Sequence, residues 1–115
     1  MADPAIIDIV RQYLRNLAQQ GILAHMGILF GSHVSGHPGQ WSDIDLVVIS
    51  PVFDGTFSRD IIDSLWYVAA QTDSRIEPIP CGERQWIEDE VTPIIEVARR
   101  EGIQVMPDGD SGDGE

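Results

Sequence analysis

The chain has 115 residues, a hydrophobic fraction of 43% and a formal net charge of −12. This length accommodates one compact domain with a small core and excludes a second substrate-binding lobe. Its basic side chains are seven scattered arginines, with no lysine, which argues against a free-standing nucleic-acid-binding protein, and no apolar run approaches the roughly 18 residues that a membrane span requires.

The first third of the chain predicts a helix, a strand and a short turn. Asp3-Pro4 supplies an N-cap and a first-turn proline, and apolar residues then recur at helical spacing until Gly21. The segment that ends at Phe30 is short, apolar and followed by glycine, which favours a buried strand, although periodicity alone does not exclude a helix. Residues 32–35 are predicted as one helical turn, which His37-Pro38-Gly39 then breaks.

The remainder alternates in the same way. Residues 43–49 are β-branched and apolar apart from two aspartates, as in a central strand covered on both faces, and PVFDGT follows as a loop. Ser58 caps a helix whose buried stripe ends at Ala69, and residues 75–80 predict a strand that two prolines make short or marginal. A last helix, capped by Thr92-Pro93, precedes the strand IQVM.

This order of elements predicts a small α/β domain without an internal repeat or a dividing linker. We assign residues 1–106 to that single domain and residues 107–115 to an acidic, disordered tail with nothing to bury. One cysteine, Cys81, cannot form an internal disulfide, and we expect it to be a small structural residue in a cytoplasmic protein. We expect no export signal before the first helix.

Asp43 and Asp45 are the first candidates for function. Successive side chains of a strand point to opposite faces, so these two carboxylates lie on one face, about 7 Å apart at the backbone. They repel each other by roughly 2 kcal/mol at an effective dielectric constant near 20, and a divalent cation such as magnesium would offset this repulsion. Alternatively, Asp43 ends a turn and Asp45 contacts a basic side chain, a helix N-terminus or solvent elsewhere in the fold.

Gly31 and Ser32 are the second candidates. They stand directly after a strand and before a helical turn, where unpaired backbone N–H groups gather and an anion is favoured. Glycine allows a phosphate to approach the backbone, and the serine hydroxyl adds a donor. The chain has neither G-x-x-x-x-G-K-[ST] nor G-x-G-x-x-G, which argues against a P-loop NTPase and a dinucleotide-binding fold.

Together these residues form the pattern G-S-x3-G-x5-S-D-x-D followed by a hydrophobic residue, from Gly31 to Leu46. This pattern resembles the signature of the polymerase-β-type nucleotidyltransferase superfamily, and it is most similar to the minimal nucleotidyltransferases, which are small stand-alone prokaryotic domains. The later IEPIP segment, a Trp-containing helix and a final EGI extend the resemblance over most of residues 24–105. The resemblance implies a mixed β-sheet flanked by helices.

The resemblance also implies a role for each site residue. Gly31 and Ser32 would hold the β and γ phosphates of the nucleotide, with Ser42 beside them, and Asp43 and Asp45 would bind magnesium in a two-metal site. A third carboxylate on a neighbouring strand corresponds to Glu77, which would bind metal or take the proton from the attacking hydroxyl. Glu77 could equally be an exposed strand residue, and Asp73 and Glu83 lie close enough to compete for the role.

Several residues near these candidates also bear on the proposed site. Family members often carry basic residues after Gly-Ser, where this chain has His33, Val34 and Ser35, so we expect weaker triphosphate binding. His33 and His37 have the i, i+4 spacing of a helical metal site, but Pro38 argues against a helix there, and we predict loop histidines. Trp41 could stack on a nucleotide base or pack over its own turn.

Two functions follow from the resemblance. The first is a magnesium-dependent enzyme that transfers AMP or another nucleoside monophosphate from ATP or another nucleoside triphosphate to a hydroxyl. A homodimer or a HEPN-domain protein would complete the open pocket. In the minimal nucleotidyltransferase group, the HEPN-domain protein is an RNase toxin, and the nucleotidyltransferase neutralises it as an antitoxin. The second is a binding module that neutralises the partner with little or no catalysis, for which the acidic surface is suited. An RNA-tailing enzyme is disfavoured because the chain lacks a basic track, and we expect no direct nucleic-acid binding.

Overall fold

The computed structural model describes residues 2–36, 39 and 42–108. None of the helices within these ranges is long and apolar enough to cross a membrane. The helices and strands, in chain order, are α1 (Pro4–Gln19), β1 (Met26–Phe30), α2 (Ser32–Ser35), β2 (Ile44–Ile49), a 3-10 turn (Pro51–Phe53), α3 (Arg59–Thr72), β3 (Ile76–Cys81), α4 (Glu83–Glu88), α5 (Pro93–Glu101) and β4 (Ile103–Val105).

The strands form one mixed sheet in the order β3-β2-β1-β4. Strand β1 is antiparallel to both β2 and β4. Strands β2 and β3 are parallel, and α3 makes the crossover between them. A parallel pair requires such a long connection, whereas β1 and β2 are joined by the shorter segment that carries α2. The mixed sheet with flanking helices confirms the predicted fold class.

Helices α1 and α3 cover one face of the sheet, and α1 begins where the sequence predicts. The Asp3 side chain accepts a hydrogen bond from the amide of Ala5 at 2.9 Å, and Pro4 fills the first turn. The buried stripe of α1 includes Tyr13, whose hydroxyl donates to the carbonyl of Leu65 in α3 at 2.9 Å. This buried hydrogen bond fixes the two helices relative to each other, because the phenol needs a partner once it is removed from water.

The opposite face of the sheet is covered over only part of its length. Val47 and Ile49 of β2 pack in a cluster with Ile95 and Ala98 of α5. Because side chains alternate along a strand, Asp45 lies on the same face as Val47, but it is only half-buried. Helix α5 therefore covers the C-terminal half of β2 and leaves the N-terminal half for polar groups.

Strand β3 is an edge strand, and this position explains its prolines. The carbonyl of Arg75 accepts from the amide of Ile44, and that of Cys81 accepts from the amide of Ser50. The odd-numbered residues of β3 therefore point their backbone groups toward β2, so Pro78 and Pro80 lie where an N–H would face the open edge. Prolines are tolerated at such positions because no ladder hydrogen bond is lost.

Most predicted elements are confirmed, with small differences. The strand predicted as marginal is a regular six-residue β3, and the predicted loop PVFDGT begins with a 3-10 turn. Ser58 occupies the N-cap position of α3, but its side chain makes no capping hydrogen bond. Of the predicted tail, Pro107 accepts a hydrogen bond from Arg15 Nε at 2.8 Å, and residues 109–115 lie outside the described residues.

Candidate functional site

The turn between β1 and α2 requires glycine at position 31. Gly31 has φ 84° and ψ −149°, a backbone conformation that residues other than glycine rarely adopt. A Cβ atom placed on Gly31 would also collide with the Asp45 carboxylate. The backbone of Gly31 therefore lies directly against one of the predicted metal-binding side chains, and the predicted Gly-Ser turn and the D-x-D strand are brought together.

Glu77 joins Asp43 and Asp45 on the same face of the sheet. Asp45 and Glu77 are register partners in the parallel β2–β3 pair, and adjacent strands are about 4.8 Å apart. Asp43 lies two residues before Asp45, and the interaction of its side chain with Glu77 raises the pKa of Glu77. The three carboxylates predicted from the sequence thus lie next to one another at one end of two neighbouring strands.

The electrostatics of this cluster raise the pKa of two of its carboxyl groups, Glu77 and Asp45. The hydrogen bond with Asp43, burial and the negative charges of Asp43 and Asp45 raise the pKa of Glu77. Burial and the charge of Asp43 raise the pKa of Asp45, while His33 acts in the opposite direction. Like charges held close together contribute in both cases. A positive charge brought to this face would therefore be bound favourably.

Asp73 and Glu83, the two alternatives for the third carboxylate, are committed elsewhere. The Asp73 carboxylate accepts hydrogen bonds from Arg75 Nε at 3.0 Å and from Arg75 Nη2 at 2.8 Å, and these bonds hold the pKa of Asp73 below its usual range. Beyond the other end of β3, a carboxylate oxygen of Glu83 lies within hydrogen-bond distance of His25 Nδ1, at 2.6 Å. The strand register therefore favours Glu77 over both.

His33 lies in an environment that differs from the prediction. The interpretation of His33 as a loop histidine is wrong, because it lies in α2 and only 6% of its surface is exposed. Its Nε2 is 3.2 Å from the carbonyl oxygen of Ser42. Its predicted partner in an i, i+4 pair, His37, and the predicted stacking residue Trp41 lie outside the described residues.

Ser42, expected beside the phosphates, takes part in the turn that leads into β2. Its hydroxyl accepts from the amide of Gly39 at 2.9 Å, and its own amide donates to the carbonyl of Gly39 at 3.1 Å. The hydroxyl retains a proton that it can donate, since a serine hydroxyl is both donor and acceptor. Ser42 thereby shapes the segment that presents Asp43.

The donor set suits a hard divalent cation, although a three-ligand site is not preformed. Within residues 2–36, 39 and 42–108, no group of three or more His, Cys, Asp or Glu side chains is arranged to hold a metal ion. Asp43, Asp45 and Glu77 nevertheless offer only oxygen donors, which magnesium prefers. The mutual repulsion that helps to raise the pKa values of Asp45 and Glu77 is the interaction that such an ion would relieve.

A separate cleft of about 760 Å³ lies away from the carboxylates. Phe53 and Phe57, which contact each other edge to face with ring centroids 5.3 Å apart, line one side, and Arg84 and Val91 of the α4 region line the other. The cleft contains none of the predicted site residues. This cleft is therefore separate from the candidate site that the three carboxylates form.

Comparison with known proteins gives the family and the fold of this chain. The family model described as "Nucleotidyltransferase domain" matches residues 7–100, a range that includes every candidate site residue. The fold is similar to a solved mutant structure of the toxin-antitoxin MntA-HpeT, with a TM-score of 0.50 and 18% sequence identity over 90% of this chain and 72% of that chain. No curated protein matches the chain.

Proposed function

The chain belongs to the nucleotidyltransferase domain family, and from that premise we propose that it transfers AMP or another nucleoside monophosphate from a nucleoside triphosphate to a hydroxyl of a partner protein. The observation that carries this proposal is the convergence of Asp43, Asp45 and Glu77 on one face of the sheet, with Gly31 against Asp45.

Asp43 and Asp45 would hold magnesium, and Glu77 would either join them as a ligand or act as the base. Bound there, magnesium would neutralise charge on the phosphates and stabilise the departing pyrophosphate. No such ion is needed to define the donor set, because the three side chains already share a face. The metal requirement is part of the proposal and is tested directly below.

The residues of the chain supply the remaining steps. Gly31 allows a phosphate oxygen to approach the backbone, and the hydroxyl of Ser32, the first residue of α2, can donate to it. Where Glu77 acts as the base and not as a ligand, it is ionised and takes the proton of the acceptor hydroxyl, since a carboxyl group with a raised pKa is a stronger base than an ordinary one. The acceptor oxygen then bonds to the α-phosphorus, and the bond from that phosphorus to the bridging oxygen breaks to release pyrophosphate.

The choice of a protein as acceptor draws on the structural neighbour and on charge. The solved neighbour is part of a toxin-antitoxin system, and a net charge of −12 favours a basic partner. A toxin of the HEPN type is such a partner in this proposal, with a homodimer as the other way to close the pocket. A cytoplasmic location belongs to the same proposal and fits the single, buried Cys81.

A second candidate function is a binding module with weak or no catalysis. The favouring observation is that His33, which follows Gly-Ser, is buried against Ser42 instead of presenting a charge to a phosphate. Val34 and Ser35 add no charge. In this case the chain would neutralise its partner by covering it.

The two functions are separated by one labelling experiment. The protein is incubated with magnesium and α-labelled ATP, with and without the candidate partner. Transfer predicts a labelled partner, and Asp43→Asn and Asp45→Asn should each reduce labelling by at least roughly 100-fold. If the partner is unlabelled but both variants still bind and silence it, the binding module is correct. Calorimetry adds a check: ATP binding that needs magnesium but survives loss of both aspartates would contradict the proposed site.

A further inference from the structure

His33 stands out among the buried side chains. Among the described residues, His33 and Ser50 are the buried side chains of polar or charged type, with 6% and 1% of their surfaces exposed. Ser50 caps the 3-10 turn, which explains its burial. His33 lies at the opposite end of β2, one residue after Ser32, and its Nε2 is 3.2 Å from the carbonyl oxygen of Ser42.

The hydrogen bond determines which ring nitrogen carries the proton. A carbonyl oxygen can only accept, so Nε2 of His33 must be the donor. The imidazole is therefore the Nε2–H tautomer when neutral. Because the ring is buried and its Nε2–H is bonded to a backbone carbonyl, it can hold the segment that carries this carbonyl in place.

The bonded carbonyl belongs to the peptide unit that joins Ser42 to Asp43. The same short segment is fixed at two further points. The Ser42 hydroxyl accepts from the amide of Gly39, and the amide of Ile44 donates to the carbonyl of Arg75 at 2.8 Å. Of these three hydrogen bonds, the one from His33 comes from α2. It therefore connects the Gly-Ser turn to the start of β2.

We propose that His33 is a positioning residue for nucleotidyl transfer. By donating to the Ser42 carbonyl, it holds the distance between Ser32, which would contact phosphate, and Asp43, which would bind metal. In this role it acts through the Ser42 carbonyl. The inference rests on the proposed function for its catalytic consequence, whereas the positioning of Asp43 can be measured without turnover.

The test compares His33→Phe, His33→Gln and a matched control, His25→Phe. Phenylalanine keeps a ring but removes the donor, and glutamine keeps an N–H near the position of Nε2. His25 is exposed and pairs with Glu83, and its amide donates to the carbonyl of Ile49 at the far end of β2. All variants are first checked by thermal denaturation.

Two readouts need no activity. ¹⁵N NMR of the wild-type histidines should show the Nε2–H form for His33. Hydrogen exchange of the Ile44 amide should be faster in His33→Phe by roughly three- to tenfold, the factor expected for one net hydrogen bond, and unchanged in His25→Phe. An Nδ1–H tautomer, or equal exchange in the two phenylalanine variants, would overturn the inference. The tautomer readout uses the wild-type protein, so it still tests the inference if His33→Phe is too unstable to study.

Kinetics tests the consequence for transfer. His33→Phe should lower kcat by roughly 10–100-fold, as loss of an outer-shell partner of a metal ligand does, with a much smaller change in KM, and His33→Gln should restore most of the loss. If His33→Gln is as impaired as His33→Phe, the donor is not what matters and the inference is wrong. If the wild-type protein transfers nothing, the proposed function fails, while the exchange and tautomer results still decide the role of His33.

Discussion

Replacing Gly31 with alanine tests the arrangement of the site by its effect on stability. The backbone at Gly31, with φ 84° and ψ −149°, costs a residue with a Cβ about 1–3 kcal/mol. The collision of that Cβ with the Asp45 carboxylate adds about 1–3 kcal/mol, as overpacking does elsewhere. For a chain of this size, 1 kcal/mol corresponds to about 4 °C in Tm, so the expected loss is about 8–24 °C by circular dichroism.

Gly55 and Gly21 provide matched controls. Both have positive φ, 76° and 88°, but a Cβ placed on either meets nothing within 4 Å. Alanine at these positions should cost only about 1 kcal/mol, from the backbone alone. A double-mutant cycle of Gly31→Ala with Asp45→Ala should recover about 1–3 kcal/mol. If Gly31→Ala costs no more than Gly55→Ala and shows no coupling to Asp45, the carboxylate does not lie over the turn and the described site is wrong.

Three further predictions concern groups outside the proposed chemistry. Hydrogen bonds to Arg75 lower the pKa of Asp73 in the folded protein. The stabilisation that results is fully present above the unfolded pKa, about 4, and is lost as the pH falls through the folded pKa. Asp73→Asn should therefore lower the free energy of unfolding at pH 7 and make it depend less on acid pH in urea titrations. Tyr13→Phe removes the donor to Leu65 and should cost about 1–2 kcal/mol in the free energy of unfolding, and an unchanged urea midpoint would contradict this. Burial, followed by the charge of a nearby aspartate, raises the pKa of Cys81 to about 11, so a thiol reagent at pH 7 should react with the folded protein far more slowly than with the unfolded chain.

The sequence predicts the fold well because local signals and burial agree. Asp3-Pro4, Gly21 and the apolar stripe define α1, and the apolar run that ends at Phe30 defines β1. The segment-by-segment prediction omits α4 because this six-residue helix buries none of its side chains and so leaves no periodic apolar pattern. Only the resemblance to a known family, with its Trp-containing helix, anticipates it.

The site is predicted in part, and the division has a physical reason. Strand alternation is a local property, so the shared face of Asp43 and Asp45 follows from spacing alone. The choice of Glu77 over Asp73 and Glu83 depends on the register between β2 and β3, which no local pattern specifies. The burial of His33 depends on the packing of α2 against Ser42, and a single histidine in a polar segment gives no signal of it.

The two prolines of β3 limit how this protein can assemble. With Pro78 and Pro80 turned outward, the rim of the sheet beside Glu77 offers too few donors for another strand to add to it. A second copy or a partner must therefore meet this side through side chains, which leaves the entrance to the carboxylates free of a continuous intermolecular sheet. Exchanging both prolines for threonine would give that rim its missing amides, and the protein should then self-associate in a concentration-dependent way.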